Sequence, residues 1–260
     1  MLWQKLTAFI PSWRWFLALV MLTLVFAVTR IPASWGAYLM TQGNGLGMSS
    51  LSGSLWRGRA AMTSLEIDNR HYTLGALRWR LNPWSLLIFR PCADLQARME
   101  GQNLEGRVCA SLNGAVRVTD TQLEAPAQLI QAGVAVPIDG RLSANIKTLA
   151  MKNQQLSELD ANLSWTRARI NAEGRWYQLG AYAAEAHYDP DADALVADTF
   201  DLEGPIDLDV TLRLPLSGGI FVQGELALDE AFSRQIQAAE WLPLVLDAQG
   251  ENRYAVDLQF

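Results

Sequence analysis

The sequence predicts a mainly β protein: an N-terminal transmembrane helix followed by an elongated, curved antiparallel β-sheet domain with a few short helices. Three observations carry this reading. An uncharged apolar run extends from Trp15 to Thr29. Further along, the dominant hydrophobic period is two, the pattern of strands that bury one face. Helical signals are confined to three short stretches.

The apolar run, WFLALVMLTLVFAVT, has no charge in fifteen residues. At 1.5 Å per residue it spans roughly 22 Å, short of the ~30 Å hydrocarbon core. Its flanks extend the reach. Arg14 and Arg30 can snorkel outward, and Trp13 and Trp15 are matched by Trp35 and Tyr38 at the far side. Pro32 then stops the helix. The competing reading is a cleaved signal peptide, because Ile31-Pro32-Ala33-Ser34 offers small residues at a cleavage point. Arg30 and bulky Ile31, Trp35 and Tyr38 argue against cleavage. The chain therefore divides into a cytoplasmic tail (1–14), a transmembrane helix (15–31), a linker (32–48) and a β-rich domain (49–260) on the opposite side.

Charge supports the same division. Residues 1–60 hold five basic residues and no acid, which leaves 16 basic and 27 acidic residues for the rest of the chain. An acidic domain without basic, aromatic-laced patches repels nucleic acid. With half of its 260 residues hydrophobic, the chain can bury one large core or two small ones.

Within the linker, Thr41 to Gly47 (TQGNGLG) reads as flexible. Its G-x-G-x-G is no dinucleotide fingerprint, since no strand precedes it and no helix follows. The strands come next. Leu77, Trp79 and Leu81 alternate with Arg78 and Arg80, and Gly75 marks a bulge where the parity shifts. Leu142-x-Ala144-x-Ile146 and Leu159-x-Ala161-x-Leu163-x-Trp165 alternate in the same way. The clearest pair is a hairpin. Ile206, Leu208, Val210, Leu212, Leu214 and Leu216 share one face, Ser217-Gly218-Gly219 turns the chain, and Ile220, Val222, Leu226 and Leu228 continue the face. Tyr254, Val256, Leu258 and Phe260 form the last strand. The helices are Asn82 through Ile88, opened by Pro83, then Leu123–Ala132 and Asp229–Trp241, the last with Asp229 as N-cap. A weak duplication, Gly53-x-Leu55 before Leu77-x-Trp79 and Gly140-x-Leu142 before Leu163-x-Trp165, would divide the domain into halves at about 49–135 and 136–260.

Cys92 and Cys109 are the only cysteines. In an oxidising compartment they would close a loop of about 16 residues and stabilise the fold by ~3 kcal/mol. Two buried free thiols are the alternative. No metal site is expected, because no other soft ligand lies nearby in sequence.

Catalytic chemistry is not visible. His71 and His187 stand in no nucleophile elbow or metal-ligand spacing. Asp189, Asp191 and Asp193 copy the start of a calcium loop, but Ala194 replaces its glycine and Phe200 its bidentate glutamate. A solvated hairpin turn is the better reading. Asn162-Leu163-Ser164 matches a glycosylation sequon, but it lies inside an alternating strand. We expect no enzyme, no cofactor and no small-molecule substrate.

Two segments carry a resemblance. Gly53-Ser-Leu-Trp-Arg-Gly-Arg-Ala60 fits G-[ST]-L-W-x-G-x-A, with Gly53, Leu55, Trp56 and Gly58 as its fixed points. Leu77-Arg-Trp-Arg-Leu-Asn-Pro-Trp-Ser-Leu-Leu87 fits [LV]-x-W-x-L-x-P-x-x-L-L, with Trp79, Leu81, Pro83, Leu86 and Leu87. In this order behind an apolar helix, they resemble the type II secretion system protein N family, also called general secretion pathway protein N. The resemblance covers the anchor and residues 50–90 well and the rest only in strand-rich character. It implies a bitopic accessory subunit of the bacterial inner membrane with a cytoplasmic N-terminus and a periplasmic domain. Such a subunit would contribute to assembly or stability of the inner-membrane platform that exports folded periplasmic proteins. The implied partners are the other inner-membrane subunits and membrane lipids. The motif residues are then structural. The fold also looks like the curved sheets of envelope lipid-transfer proteins, so the alternative is a lipid-binding or lipid-transfer module with a hydrophobic β-groove.

Overall fold

A computed structural model describes residues 13–41, 46–67, 70–111, 113–153 and 155–260. Contacts divide the chain into two compact units, residues 1–81 and 82–260. The tail expected over 1–14 lies almost wholly outside the described residues.

The first unit begins with α1 (Trp13–Thr29), 17 residues long and without a charge in its last turn. Among the described residues no helix is long and apolar enough to cross a membrane. Pro32 separates α1 from α2 (Ala33–Thr41), and three antiparallel strands follow: β1 (Leu46–Gly53), β2 (Arg57–Ile67) and β3 (Arg70–Leu81). Most of the stretch read as a linker is therefore structured. Ala33 and Ala37, one turn apart, are each 3 % exposed, and small side chains at that spacing let α2 lie close to its neighbours. A Cβ at Gly36 would come within 2.8 Å of the Leu55 side chain. Residues 42–45, with most of the glycine-rich stretch, lie outside the described residues. Gly75 has φ +74° and stands opposite Thr63, where the β2–β3 register shifts.

The second unit is an open antiparallel sheet. Helix α3 (Pro83–Leu87) precedes β4 (Cys92–Met99), β5 (Gln102–Ala110), β6 (Val116–Pro126), β7 (Ile138–Lys152), β8 (Gln155–Ala172), β9 (Arg175–Asp189), β10 (Ala194–Glu203), β11 (Ile206–Pro215) and β12 (Phe221–Leu228). Then come α4 (Glu230–Gln235), α5 (Ala238–Trp241), β13 (Asp247–Gly250) and β14 (Arg253–Gln259). Strands β4 to β12 pair in sequence order, and β14 adds to β12 with β13 outside it.

The expected helix over 123–132 is half strand. Leu123 pairs with Leu104 and Ala144 inside the sheet, and only Ala127–Gly133 winds, as a 3-10 turn. Thr121 and Ala125 are buried on the same parity as Leu123, so period two wins over a short apolar run that fits either pattern. The helix expected over 229–241 is broken at Gln237, whose φ of +53° ends α4 and restarts the chain as α5. Asp229 occupies the N-cap position, yet it is its carbonyl that accepts from Ser233 N, at 2.8 Å, with no side-chain cap.

Alternation across paired strands builds one apolar face on the second unit. Ala144, Leu163, Ala184, Thr199, Val210, Gly224 and Val256 stand opposite one another in successive strands. At one end α4, α5 and a 3-10 turn (Leu242–Leu244) fold over that face. Phe232, Ala238 and Leu242 form a core there with Leu179, Tyr182, Leu228 and Tyr254, and Leu208 and Leu226 pack against it.

Candidate functional site

The two sequence signatures meet in space, within the first unit. Gly53 ends β1 with φ +95°, a left-handed conformation that suits glycine. The turn that follows reaches back to the helices. Leu55 N donates to Ile31 O at 2.9 Å and Trp56 Nε1 donates to Val28 O at 2.8 Å. Both acceptors are carbonyls at or just past the end of α1, where the helical ladder gives out and Val28 O receives only a long backbone bond from Ile31 N, at 3.4 Å. Pro32 and Ser54 form a β-bridge at the same junction. Trp79, on β3, faces Gly58 on β2. Its indole Nε1 donates to Leu55 O at 3.0 Å, and a Cβ added at Gly58 would collide with the indole's six-membered ring. Leu81 N donates to Trp56 O at 2.8 Å. Trp79 is buried, whereas Leu55, Trp56 and Leu81 are half-buried.

The remaining signature residues belong to the second unit. Asn82 caps α3, its Oδ1 accepting from Trp84 N at 3.1 Å, and Pro83 opens the helix. Leu86 is 37 % exposed, and Leu87 closes the helix, its side chain lying outside the described residues. Ser85, which no motif singled out, ties this turn to the sheet. Its hydroxyl donates to Asn82 O at 2.6 Å and accepts from Cys92 N at 2.9 Å. Cys92 and Cys109 are cross-strand partners of β4 and β5 and form a disulfide.

The acidic triplet forms the β9–β10 turn. Asp189 Oδ1 accepts from Asp191 N and Ala192 N, and Asp193 accepts from the Tyr188 hydroxyl at 2.7 Å. That hydrogen bond to Asp193 raises the Tyr188 phenol above its ordinary value. The Asp189 and Asp193 carboxylates thus satisfy their own turn. Among the described residues no group of three or more histidine, cysteine or acidic side chains is placed to hold a metal.

Two concave places on the second unit bear on function. The first is an apolar groove of about 390 Å³ on the one-faced sheet, lined by Leu123, Ile130, Leu142, Leu163, Trp165 and Tyr182 among others. No charged side chain lines it. Burial, and secondarily Asp201, pushes the Tyr182 phenol up to about 12, and its hydroxyl donates to Leu179 O. The second is a polar cavity of about 780 Å³ where bulges interrupt β7, β8 and β10. Asp139 is its hub: it pairs with Arg169 and accepts from Gln128 Nε2 at 2.6 Å and Gly140 N at 2.7 Å.

Comparison with known proteins gives these features a setting. Residues 44–256 match the family model described as type II secretion system (T2SS), protein N. The chain belongs to the type II secretion system protein N family. It is similar to the type II secretion system protein N of Aeromonas hydrophila, 29 % identical over 162 residues, which cover 60 % of this chain and 62 % of that protein. It is also similar to the Vibrio cholerae serotype O1 protein of the same description, 24 % identical over 165 residues covering 61 % and 64 %. Each alignment spans less than two thirds of the relative. No solved structure matches the chain.

In this protein N family member, the polar hub at Asp139 was not legible beforehand. Its members come from β7, β8 and the 3-10 turn, separated by up to 41 positions between Gln128 and Arg169. The one signal was Gly140, which has φ +125° beside the hub. Of the hairpin face read from the sequence, Leu208 and Leu226 pack under the helical cap and Val210 is buried, while the open stretch lies three to four strands away, at Leu163 and Leu142.

Proposed function

We propose that the chain is a bitopic inner-membrane accessory subunit of the type II secretion system, with its N-terminus cytoplasmic and the β-rich part periplasmic. Its role would be to stabilise the inner-membrane platform and contact its other subunits. Family membership supports the secretion assignment. The observation that carries the anchoring is the surface of α1. Trp13, Trp15, Leu19, Met21, Leu22 and Phe26 all expose 60 % or more of their surface, and they point to every side of the helix. A helix apolar all round needs a covering, which lipid supplies. Seventeen residues reach about 26 Å at 1.5 Å each, so the tryptophans and Arg30 would sit in the headgroup layers. The signature residues would fasten this anchor to the first strands.

The test is joint. A reporter that works only in the periplasm, fused after Phe260, should be active, and the chain should resist alkaline extraction from membranes. Mild-detergent purification should recover other secretion-platform subunits. A mature chain that begins near Ala33 would remove the anchor, and recovery of no platform subunit would remove the assembly role.

One observation favours a second reading. The uncharged groove beside Leu142 and Leu163 has the size and lining of a site for an apolar ligand. A lipid-binding role for the sheet rests on it.

A further inference from the structure

Short strand β13 ends the sheet on one side and covers only part of the outer edge of β14. Backbone bonding fixes which groups point outward. Ile220 and Phe260 exchange both hydrogen bonds, at 3.1 and 3.0 Å, and Leu228 N donates to Asn252 O at 2.9 Å. In an antiparallel ladder hydrogen-bonded pairs recur every second residue. Phe260, Leu258, Val256 and Tyr254 therefore bond toward β12, and Gln259, Asp257, Ala255 and Arg253 present N–H and C=O outward. Strand β13 covers only Arg253, Tyr254 and Ala255. Its register would carry it past Asp257, but the chain arrives from elsewhere. Leu246 N and Val245 N both bond to Leu242 O, which folds residues 242–246 into a turn. Asp257 and Gln259 are left with outward backbone groups that no strand pairs among the described residues. The turn that departs there exposes Leu244 (83 %) and Val245 (57 %).

Unpaired outward N–H and C=O groups beside exposed apolar side chains make a template for an added strand. Charge decides between occupants. Asp247, Glu251 and Asp257 are exposed along this edge against one exposed base, Arg253; Asp257 accepts a long hydrogen bond from Gln223, and neither Asp247 nor Asp257 forms an ion pair among the described residues. A second copy paired edge to edge through Asp257 and Gln259 would set its Asp257 either opposite or on the near diagonal to this one, and like charges so placed across a ladder destabilise it. We propose that the outer edge of β14, with the exposed turn at Leu244 and Val245, is a strand-addition site for an extended segment of a partner protein whose apolar residues alternate with lysine or arginine. The backbone gives the pairing, Leu244 and Val245 hold the apolar side chains, and Asp247 and Asp257 select the basic ones. The inference is independent of whether α1 spans a membrane.

The probes are two capped octapeptides, one alternating lysine with valine and the other glutamate with valine, added to the full chain in mild detergent. The lysine peptide should bind and slow hydrogen exchange at the Asp257 and Gln259 amides. Asp257→Pro removes an outward donor without touching a β12 bond, and should weaken binding at least about tenfold. Asp257→Lys should reverse the preference between the peptides, and it decides the matter if the proline variant does not fold. No binding of the lysine peptide, equal binding of both, or undiminished binding by a folded Asp257→Pro chain would overturn the proposal. So would concentration-dependent protection of the two amides in the chain alone, which identifies a second copy as the occupant.

Discussion

Trp79 lies across Gly58 on the neighbouring strand, and its indole nitrogen donates to the carbonyl of Leu55, 3.0 Å away. One side chain thus joins the two sequence signatures, and each constrains the other. Gly58→Ala drives a methyl group against the Trp79 ring, so the ring or the strand must shift. We expect a loss of ~1–3 kcal/mol from such overpacking, read as a lower midpoint in thermal or denaturant unfolding of the full chain in detergent. Gly133→Ala, where an added Cβ meets nothing within 4 Å, should leave the midpoint unchanged. Equal effects of the two would mean that Trp79 does not rest on Gly58.

Trp56→Phe keeps an aromatic ring and removes the hydrogen bond to Val28 O. The Val28 carbonyl, at the end of α1, then keeps only the long bond from Ile31 N, at 3.4 Å. A cost of about 1 kcal/mol is expected, together with faster trypsin cleavage after Arg30, which sits next to the loosened turn. An unchanged cleavage rate would place the helix–strand connection elsewhere, for instance on Leu55 N and Ile31 O alone.

These junctions show what the sequence made legible. Strand parity was readable because each strand buries one face: Leu77 and Trp79 are buried, and Arg78 and Arg80 stand on the other side. Gly75 was readable as a bulge for its freedom at positive φ. Helix α2 was not, because Gly36, Pro32 and Ser34 look like turn residues until Leu55 is known to need the space above Gly36. The apparent duplication matched Gly53 with Gly140. In the fold the glycine beside Trp79 is Gly58, whereas the one beside Trp165 is Gly140, whose backbone neighbour Asp139 accepts the Trp165 indole at 3.1 Å. The likeness lies in an indole set against a glycine and a carbonyl, and it follows from spatial contact more than from spacing.

Reducing the Cys92–Cys109 disulfide should destabilise the second unit by ~3 kcal/mol, the loop-closure value for a separation of this length. The pair lies in register between β4 and β5, so the loss should appear first as faster hydrogen exchange in those strands. The non-reduced, denatured chain should show no free thiol on alkylation. Two labelled cysteines would mean that the bridge does not form in the cell.

Tyr182 gives a pH dependence. Burial raises its phenol to about 12 from an ordinary 10, so the folded state favours the neutral form. Its contribution is complete below pH 10 and is lost as pH rises from 10 toward 12. The loss amounts to at most ~2–3 kcal/mol when fully developed, reduced by whatever the solvent screens. Tyr182→Phe should cost ~1 kcal/mol near neutrality, through the bond to Leu179 O, and should then flatten the fall between pH 10 and 12. A variant that falls as steeply as the parent would assign the alkaline loss to other groups.

The groove at Leu163 separates a scaffold from a lipid carrier. Leu163 is 40 % exposed, in the middle of a face whose covered end is a closed core. If partner protein seals this stretch, the isolated chain carries no ligand there, and Leu163→Asp weakens recovery of platform subunits while stability changes little. If lipid occupies it, native mass spectrometry of the detergent-purified chain shows stoichiometric phospholipid that Leu163→Asp removes. Leu208→Asp is the contrasting substitution. Leu208 packs against the core under the helical cap, so a charge there should cost several kcal/mol by burying an unpaired carboxylate, whatever fills the groove. The two substitutions thus read different things: loss of fold at Leu208 tests the packing, and loss of lipid without loss of fold at Leu163 selects the carrier. Absence of lipid from the unmodified chain, with platform subunits lost in Leu163→Asp, selects the scaffold.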